Sequence, residues 1–355
     1  GQGSRIRSIV VVGGGSAGWL TAGLIAARYV RYKNSPIEVT LVESENIGII
    51  GVGEGTWPTM VDTLKTLGVS EVDFIQQCDA SFKQASCFRR WVRDAADDEY
   101  YHPFSMPQGF ETVSIAGEWA RSHAGTPFAR AVGLQADLCD QKRAPKQVKS
   151  PEFATVENHG YHLDAGKFTR FLTRHCTEKL GVRHVLADIV RVNSADNGDI
   201  ASLTTKDGGT LEGDLFIDCT GAAALLIGQH YQVPYVSRKD VLFIDKAIAV
   251  QVPYSQADEE IASATISTAQ EAGWIWDIGL PSRRGVGHVY ASKYLSSEQA
   301  KQQLKDYLKN DVEDVESLSY RELDINPGHR ERFWVNNCVA VGMSSGFLEP
   351  LEASA

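Results

Sequence analysis

Ser8-Ile9-Val10-Val11-Val12-Gly13-Gly14-Gly15-Ser16-Ala17-Gly18, near the start of the 355-residue chain, is the stretch that decides the fold. Its β-branched run suits a strand buried on both faces, and the Ala- and Leu-rich segment from Ser16 to Tyr29 has the character of a helix. A second apolar run, Ile37 to Val42, ends at Glu43, which completes a strand, helix, strand unit. Gly13, Gly15 and Gly18 fit the pattern GxGxxG, with Ser16 and Ala17 at the helix N-terminus between them. In that pattern Gly13 permits the tight turn, Gly15 lets backbone approach a pyrophosphate, and Gly18 allows close helix-to-strand packing. Glu43 is suited to accept hydrogen bonds from an adenosine ribose, so dinucleotide binding is expected.

A hydrophobic content of 43% supports one large domain or two interleaved ones with a substantial core. The net charge of −10 argues against nucleic acid, whose binders gain affinity from clustered Lys and Arg. Six scattered cysteines with no CxxC pair signal neither a metal site nor a disulfide framework, which fits a reducing cytoplasm. The sequence has no run of about 18 apolar residues and no signal peptide, so no membrane association is expected.

Further along, Thr59 to Leu67 and Glu71 to Val92 read as helices, the second because Val72, Ile75, Cys78 and Phe82 step by three, three and four. Asp94 to Tyr101 is acidic and loop-like, and the Lys- and Arg-bearing segment Gln141 to Ser150 reads as an exposed connection. Leu163 to Lys179 suggests another helix. Strands are expected at Val185 to Val192 and Ile200 to Thr205, joined through the turn Asp196-Asn197-Gly198. Leu215 to Cys219 reads as a buried strand before Thr220-Gly221, residues 230 to 295 alternate in strand fashion, and Ser297 to Asn310 returns to a charged helix.

In this order, Gly13 to Trp19, Gly51-Val52-Gly53-Glu54-Gly55-Thr56-Trp57-Pro58, Phe82-Lys83, Tyr101-His102-Pro103-Phe104, Trp274-Ile275-Trp276-Asp277-Ile278 and Gly346 to Glu352 resemble the motifs of flavin-dependent halogenases of the tryptophan halogenase type, over essentially the whole chain. The resemblance implies an α/β, FAD-binding Rossmann-like fold of the glutathione-reductase type, with a mixed, partly antiparallel substrate module interleaved. It divides the chain into FAD-binding segments 1–95, 161–230 and 321–355 and substrate-side segments 96–160 and 231–320. Further helices that close the substrate pocket are expected beyond Ala355.

The same resemblance implies a chemistry. FADH2 arrives by diffusion from a separate flavin reductase, and with dioxygen and chloride or bromide it yields hypohalous acid. A tunnel leads that oxidant to a small aromatic substrate beside Lys83, which polarises it or forms a haloamine. Glu352 matches the family's glutamate, which orients the oxidant or takes the ring proton, and Glu349 is a decoy three residues earlier. Gly51, Val52, Ile189, Gly221 and Met343 join Gly13 to Gly18 and Glu43 as flavin contacts; His102, Phe104, Trp274 and Trp276 face the substrate; Ser354 and Ala355 hold halide. A homodimer is left open, and no metal is implied.

The local chemistry of these residues keeps blander alternatives in view. Lys83 has the spacing of an exposed lysine on an amphipathic helix, paired with Asp79 four residues earlier, and the two tryptophans suit cross-strand packing. Two departures point toward a divergent subgroup suited to free indole or another electron-rich arene: Gly279 replaces the proline after the tryptophan motif, and Ala222-Ala223 replaces Phe-Arg after Gly221. A third, Ala353-Ser354-Ala355 in place of Ser-Thr-Gly, bears on the halide geometry. The rival readings are an FAD-dependent aromatic monooxygenase and a non-catalytic flavin-binding relative.

Overall fold

The computed structural model describes residues 5–30, 37–45, 52–105, 129–130, 133–155 and 157–347. The glycine-rich unit sits in a six-stranded sheet. In it β1 (Ser8–Val12) pairs with β2 (Glu38–Glu43), beyond which lies the edge strand β8 (Arg183–Leu186), and on its other side follow β12 (Leu215–Asp218), β21 (Cys338–Ala340) and β20 (Trp334–Val335). The strands from β8 to β21 pair in parallel, and only the short β20 runs antiparallel at the edge. Alternate side chains of β1 serve opposite faces, as strand geometry requires. Ile9 and Val11 pack under α1 (Ser16–Val30) and α5 (Ala165–Glu178) with Trp19, Leu41, Phe168 and Leu172. Val10 and Val12 pack with Phe216 against the antiparallel meander β9 (Ile189–Ser194), β10 (Ile200–Thr205) and β11 (Thr210–Glu212).

A seven-stranded sheet forms the second layer, in the order β18 (Tyr320–Asp324), β14 (Lys246–Pro253), β17 (Arg283–Tyr290), β16 (Gly273–Gly279), β15 (Ala264–Gln270), β5 (Ala85–Arg89), β6 (Glu99–Pro103). It is antiparallel except where β5 joins β15 in parallel. One face buries Ile248, Val250, Ile275 and Val286 beneath α6 (Ser297–Leu308), which a Ser296–Gln299 capping box starts. The opposite face carries Trp274, Trp276 and Val289. A small sheet of β13 (Tyr235–Ser237), β19 (Gly328–Arg330) and β22 (Gly346–Phe347) lies along the return of the chain.

Between the two layers lies the three-stranded sheet β3 (Gly53–Gly55), β7 (Gly160–Asp164), β4 (Ser81–Lys83). Only Gln84 separates β4 from β5, so the chain steps directly from this small sheet into the large one. Arg283 of β17 ties the two together, with its guanidinium 2.8 Å from Asp164 and 3.6 Å from Asp79.

The helix expected from Glu71 to Val92 is the main correction. Helix α3 (Glu71–Gln77) stops short, Asp79 turns the backbone left-handed at φ 51°, and residues 81–89 form strands β4 and β5. Of the four residues in that spacing, Ile75 packs against the core from α3, Cys78 enters it just past the helix end and Phe82 reaches it from a strand, whereas Val72 is exposed. Likewise, the loop-like Asp94 to Tyr101 contains the start of β6, and Val185 to Val192 is two strands in different sheets. Helix α2 (Thr59–Leu67), the hairpin at Asn197-Gly198 and α6 occur as expected, and α4 (Gln135–Asp140) packs beside β5 and β6.

Candidate active site

At the end of β1, Gly13 has φ +112°, and a Cβ there would lie 2.0 Å from the Cys219 carbonyl oxygen. A Cβ on Gly18 would lie 1.9 Å from the Gly13 carbonyl oxygen. Both glycines are therefore demanded by close packing of turn, helix and β12. Gly15 is different: it is exposed, and nothing lies within 4 Å of its Cβ position. The turn is open at the N-terminus of α1, which is the arrangement an incoming pyrophosphate needs. Ser16 Oγ lies 3.2 Å from Thr169 Oγ1 and fixes that terminus to α5.

Glu43 accepts a 2.8 Å hydrogen bond from His184 Nε2, and its other carboxylate oxygen reaches the space that a side chain on Gly14 would fill. His184 is itself held edge-on to Trp19 at 4.9 Å between ring centres. A carboxylate is thus oriented over the glycine turn, and His184 is a partner that motif reading missed. Asp218, by contrast, spends Oδ1 on the Thr220 amide and hydroxyl and Oδ2 on the Leu226 and Ile227 amides. It caps the turn that begins at Gly221. Met343 is 55% exposed in a short turn whose Gly342 abuts Ala17, whereas Ile189 packs at the margin of the meander core.

Lys83 ends β4 with its side chain completely buried. Its Nζ stands 5.5 Å from the Trp57 ring centre and 5.4 Å from that of Phe104, and the two rings are 5.5 Å apart. Cation–π attraction of this kind favours an ammonium between aromatic faces. Asp79 does not pair with it; that carboxylate accepts from the Ser282 amide and hydroxyl and faces Arg283. The exposed, helical lysine suggested by local spacing is therefore excluded. Gly55 of β3 presses on the same spot, since a Cβ there would meet Lys83 Nζ at 3.0 Å and Thr265 Oγ1 at 3.3 Å. His162, facing Gly55 in β7, is fully buried and 2.8 Å from Thr265 Oγ1. Burial, reinforced by the charge of Lys83, holds its imidazole well below the ordinary histidine range, so it is neutral. His102 is exposed on β6, while Phe104 just beyond it joins the cage.

The other end of β3 borders a cavity of about 460 Å³, lined by Val52, Gly53, Ala249, Gln251, Trp276 and Arg321 among others. The two tryptophans play different parts. Trp274 is buried and leans on Trp91 at 5.7 Å, as ordinary packing would have it, whereas Trp276 lies over Gly287 and forms part of the cavity wall. Between cavity and lysine, Glu54 is pushed up to about 7 by burial, with a further contribution from the charge of Asp164. Lys83 does not line this cavity, and β3, with Gly53 at one end and Gly55 at the other, is the element that touches both places.

Residues 8–355 match the family model described as tryptophan halogenase. The chain belongs to the tryptophan halogenase family. The tryptophan 6-halogenase SttH of Streptomyces toxytricini is 35% identical over 98% of this chain and 68% of its own length. The crystal structure of a tryptophan halogenase from Shewanella frigidimarina superposes with a TM-score of 0.94 at 48% identity, covering 99% of this chain and 68% of that one. Xcc4156, a flavin-dependent halogenase from Xanthomonas campestris, gives 0.86 at 36% identity, over 98% and 68%. As a member of this family the protein is a flavin-dependent halogenating enzyme with an FAD-binding Rossmann-like fold.

Of the residues that the family resemblance marks, Gly51, Glu349, Glu352, Ser354 and Ala355 lie outside the described residues. Gly279, one of the departures from the halogenase pattern, ends β16, and its carbonyl accepts a 2.5 Å hydrogen bond from Ser81 Oγ. Trp57, His162 and Thr265 were missed as site residues. Trp57 stood inside a recognised motif, but a histidine and a threonine on separate strands carry no local signal. Among the described residues no group of side chains is arranged to hold a metal ion, and no helix is long and apolar enough to cross a membrane.

Proposed function

We propose that this protein halogenates a small, electron-rich arene of the tryptophan or indole type with FADH2, dioxygen and chloride or bromide. FADH2 comes from a separate reductase in the cytoplasm. Reduced flavin supplies two of the four electrons that dioxygen takes up, and the halide supplies the other two as it becomes hypohalous acid. Gly15 with Ser16 and Ala17 would hold the pyrophosphate on the turn that Gly13 and Gly18 allow to close, Glu43 would hold the ribose, and Val52 with Trp276 would border the ring system. Trp276 then keeps the arene from the flavin while oxidant passes along β3 to Lys83.

At Lys83 an ammonium N–H donates to the hypohalous oxygen, which weakens the halogen–oxygen bond. The ring carbon takes the halogen, the oxygen leaves as water after gaining a proton, and the ring proton passes to Glu352. The observation that carries this reading is the buried Lys83 ammonium between the faces of Trp57 and Phe104, at the far end of the strand that borders the cavity. A cage of that kind excludes bulk water, into which the oxidant would otherwise escape.

The test is a reaction with FAD, a flavin reductase, bromide and a panel of indoles, read by mass spectrometry. Brominated product that requires bromide is expected. A mass gain of one oxygen alone would overturn the proposal in favour of a monooxygenase, and oxidation of flavin with no product in any arene would overturn it in favour of a non-catalytic relative.

A further inference from the structure

Strand β8 joins the glycine-rich unit only at the edge of the six-stranded sheet, yet it holds Glu43 by both backbone and side chain. Leu186 pairs with Glu43 in the β2–β8 register, and the Ala187 amide donates to the Glu43 carbonyl at 2.9 Å, which fixes the backbone at the end of β2. His184 stands opposite Leu41, two positions before Glu43, and so shares the face on which the Glu43 side chain lies. Its Nε2 lies 2.8 Å from Glu43 Oε1, across 141 residues of sequence. The imidazole is braced in turn, edge-on to Trp19 of α1, which is completely buried.

A carboxylate oxygen accepts and offers no proton, so Nε2 is the donor in this contact. That holds whether or not Nδ1 also carries a proton. With Oε1 tied to β8, Oε2 lies over the glycine turn: a Cβ on Gly14 would stand 1.2 Å from it, so a glycine there is what leaves the carboxylate its seat. A carboxylate has about four acceptor sites, of which His184 takes one and the rest are left for hydroxyl donors arriving above the turn. Both side chains are 23% exposed, so water competes with the contact only in part. A free glutamate surrenders more rotamer freedom than most side chains when a ligand fixes it, and a hydrogen bond already made within the protein removes that cost from binding.

We propose that His184 is a positioning residue for dinucleotide binding: it pre-orients the Glu43 carboxylate over Gly14, so that the hydroxyls of an adenosine ribose meet a fixed acceptor. The inference rests on the ribose role proposed for Glu43. His184 acts through that carboxylate rather than on the nucleotide.

The full chain, freed of flavin, tests this by equilibrium binding, without turnover. FAD affinity is read from flavin fluorescence, and ADP and 2′,3′-dideoxyADP are compared as competitors, because they differ only in the hydroxyls assigned to Glu43. His184→Leu weakens FAD and ADP about three- to tenfold, the scale of one hydrogen bond, and leaves 2′,3′-dideoxyADP as in wild type. His184→Gln, whose amide N–H stands near the place of Nε2, restores most of the ADP affinity. His184→Phe keeps a ring against Trp19 without the donor and matches the leucine variant, which separates the hydrogen bond from packing. In Glu43→Ala the preference for ADP is already gone, and adding His184→Leu changes nothing more, because the two residues act as a unit.

Equal loss of both competitors in the leucine and phenylalanine variants overturns the proposal, since packing rather than an oriented acceptor has then been lost. A wild-type preference for ADP that survives in those variants overturns it too, as does an undiminished effect of His184→Leu in the Glu43→Ala background. If wild type itself binds the two competitors equally, the ribose role of Glu43 is refuted and the positioning claim falls with it.

Discussion

Replacing Lys83 by methionine separates what the ammonium does for catalysis from what it does for the fold. The side chain is wholly buried, and its charge is compensated in part by two ring faces at 5.4 and 5.5 Å. Each such contact is worth roughly 0.5–2 kcal/mol, whereas removing an ammonium from water costs several kcal/mol even after relaxation. Methionine keeps the length and volume without the charge. It fills the same space and removes the desolvation cost of a buried charge, so Tm is expected to stay within a few degrees of wild type or to rise. Activity moves the other way, because a thioether donates no hydrogen bond to a hypohalous oxygen. Three readouts on one preparation decide the matter: flavin absorbance after gel filtration, thermal unfolding, and brominated indole by mass spectrometry. The expected result is full flavin content, unchanged or higher Tm, and product lowered by about a hundred- to a thousandfold, the scale on which a lost oxyanion-type donor is felt. Turnover within tenfold of wild type would remove Lys83 from the mechanism, and a Tm lowered by several degrees would make its charge structural.

Three further outcomes follow from other contacts. Gly18→Val puts a branched side chain where even a Cβ lies 1.9 Å from the Gly13 carbonyl oxygen, so flavin is lost and stability falls by about 1–3 kcal/mol in an unfolding titration. Glu71 is 1% exposed; burial pushes its carboxyl up, but hydrogen bonds from Lys146, Tyr161 and the Phe153 amide outweigh that and leave it below its ordinary value. Its contribution is present above the unfolded value near 4.5 and is lost as pH falls through the lower folded value, so acid unfolding of Lys146→Met begins at higher pH than that of wild type. Glu54 has the opposite sign: raised from 4.5 to about 7, it costs the native state up to roughly 3 kcal/mol as pH climbs through that window. Glu54→Gln removes this decline, and a melting curve series from pH 4.5 to 7 with the same slope in both proteins would refute the assignment.

The glycine turn was legible because its constraints are local. Gly13 and Gly18 are required by atoms of the turn itself and of the strand beside it, and the flanking β-branched run fits only a strand buried on both faces. The capping box of α6 and the Asn197-Gly198 turn are local in the same sense. Lys83 was found by family resemblance while its surroundings were misread, since the spacing of Val72, Ile75, Cys78 and Phe82 imitates a helix that ends at Gln77. Nothing near Lys83 in sequence reports that its neighbours are Trp57, Phe104 and, behind Gly55, Thr265 and His162.

The sequence by itself therefore determined the dinucleotide-binding unit and the family, because backbone geometry at a turn and the order of motifs are carried by residues close in the chain. Only the tertiary structure decided that Lys83 is buried, that Trp274 packs while Trp276 lines a cavity, and that Asp79 belongs to Arg283. Those outcomes depend on which strands pair across up to two hundred residues, and a charge is caged or solvated according to the partners that pairing brings to it.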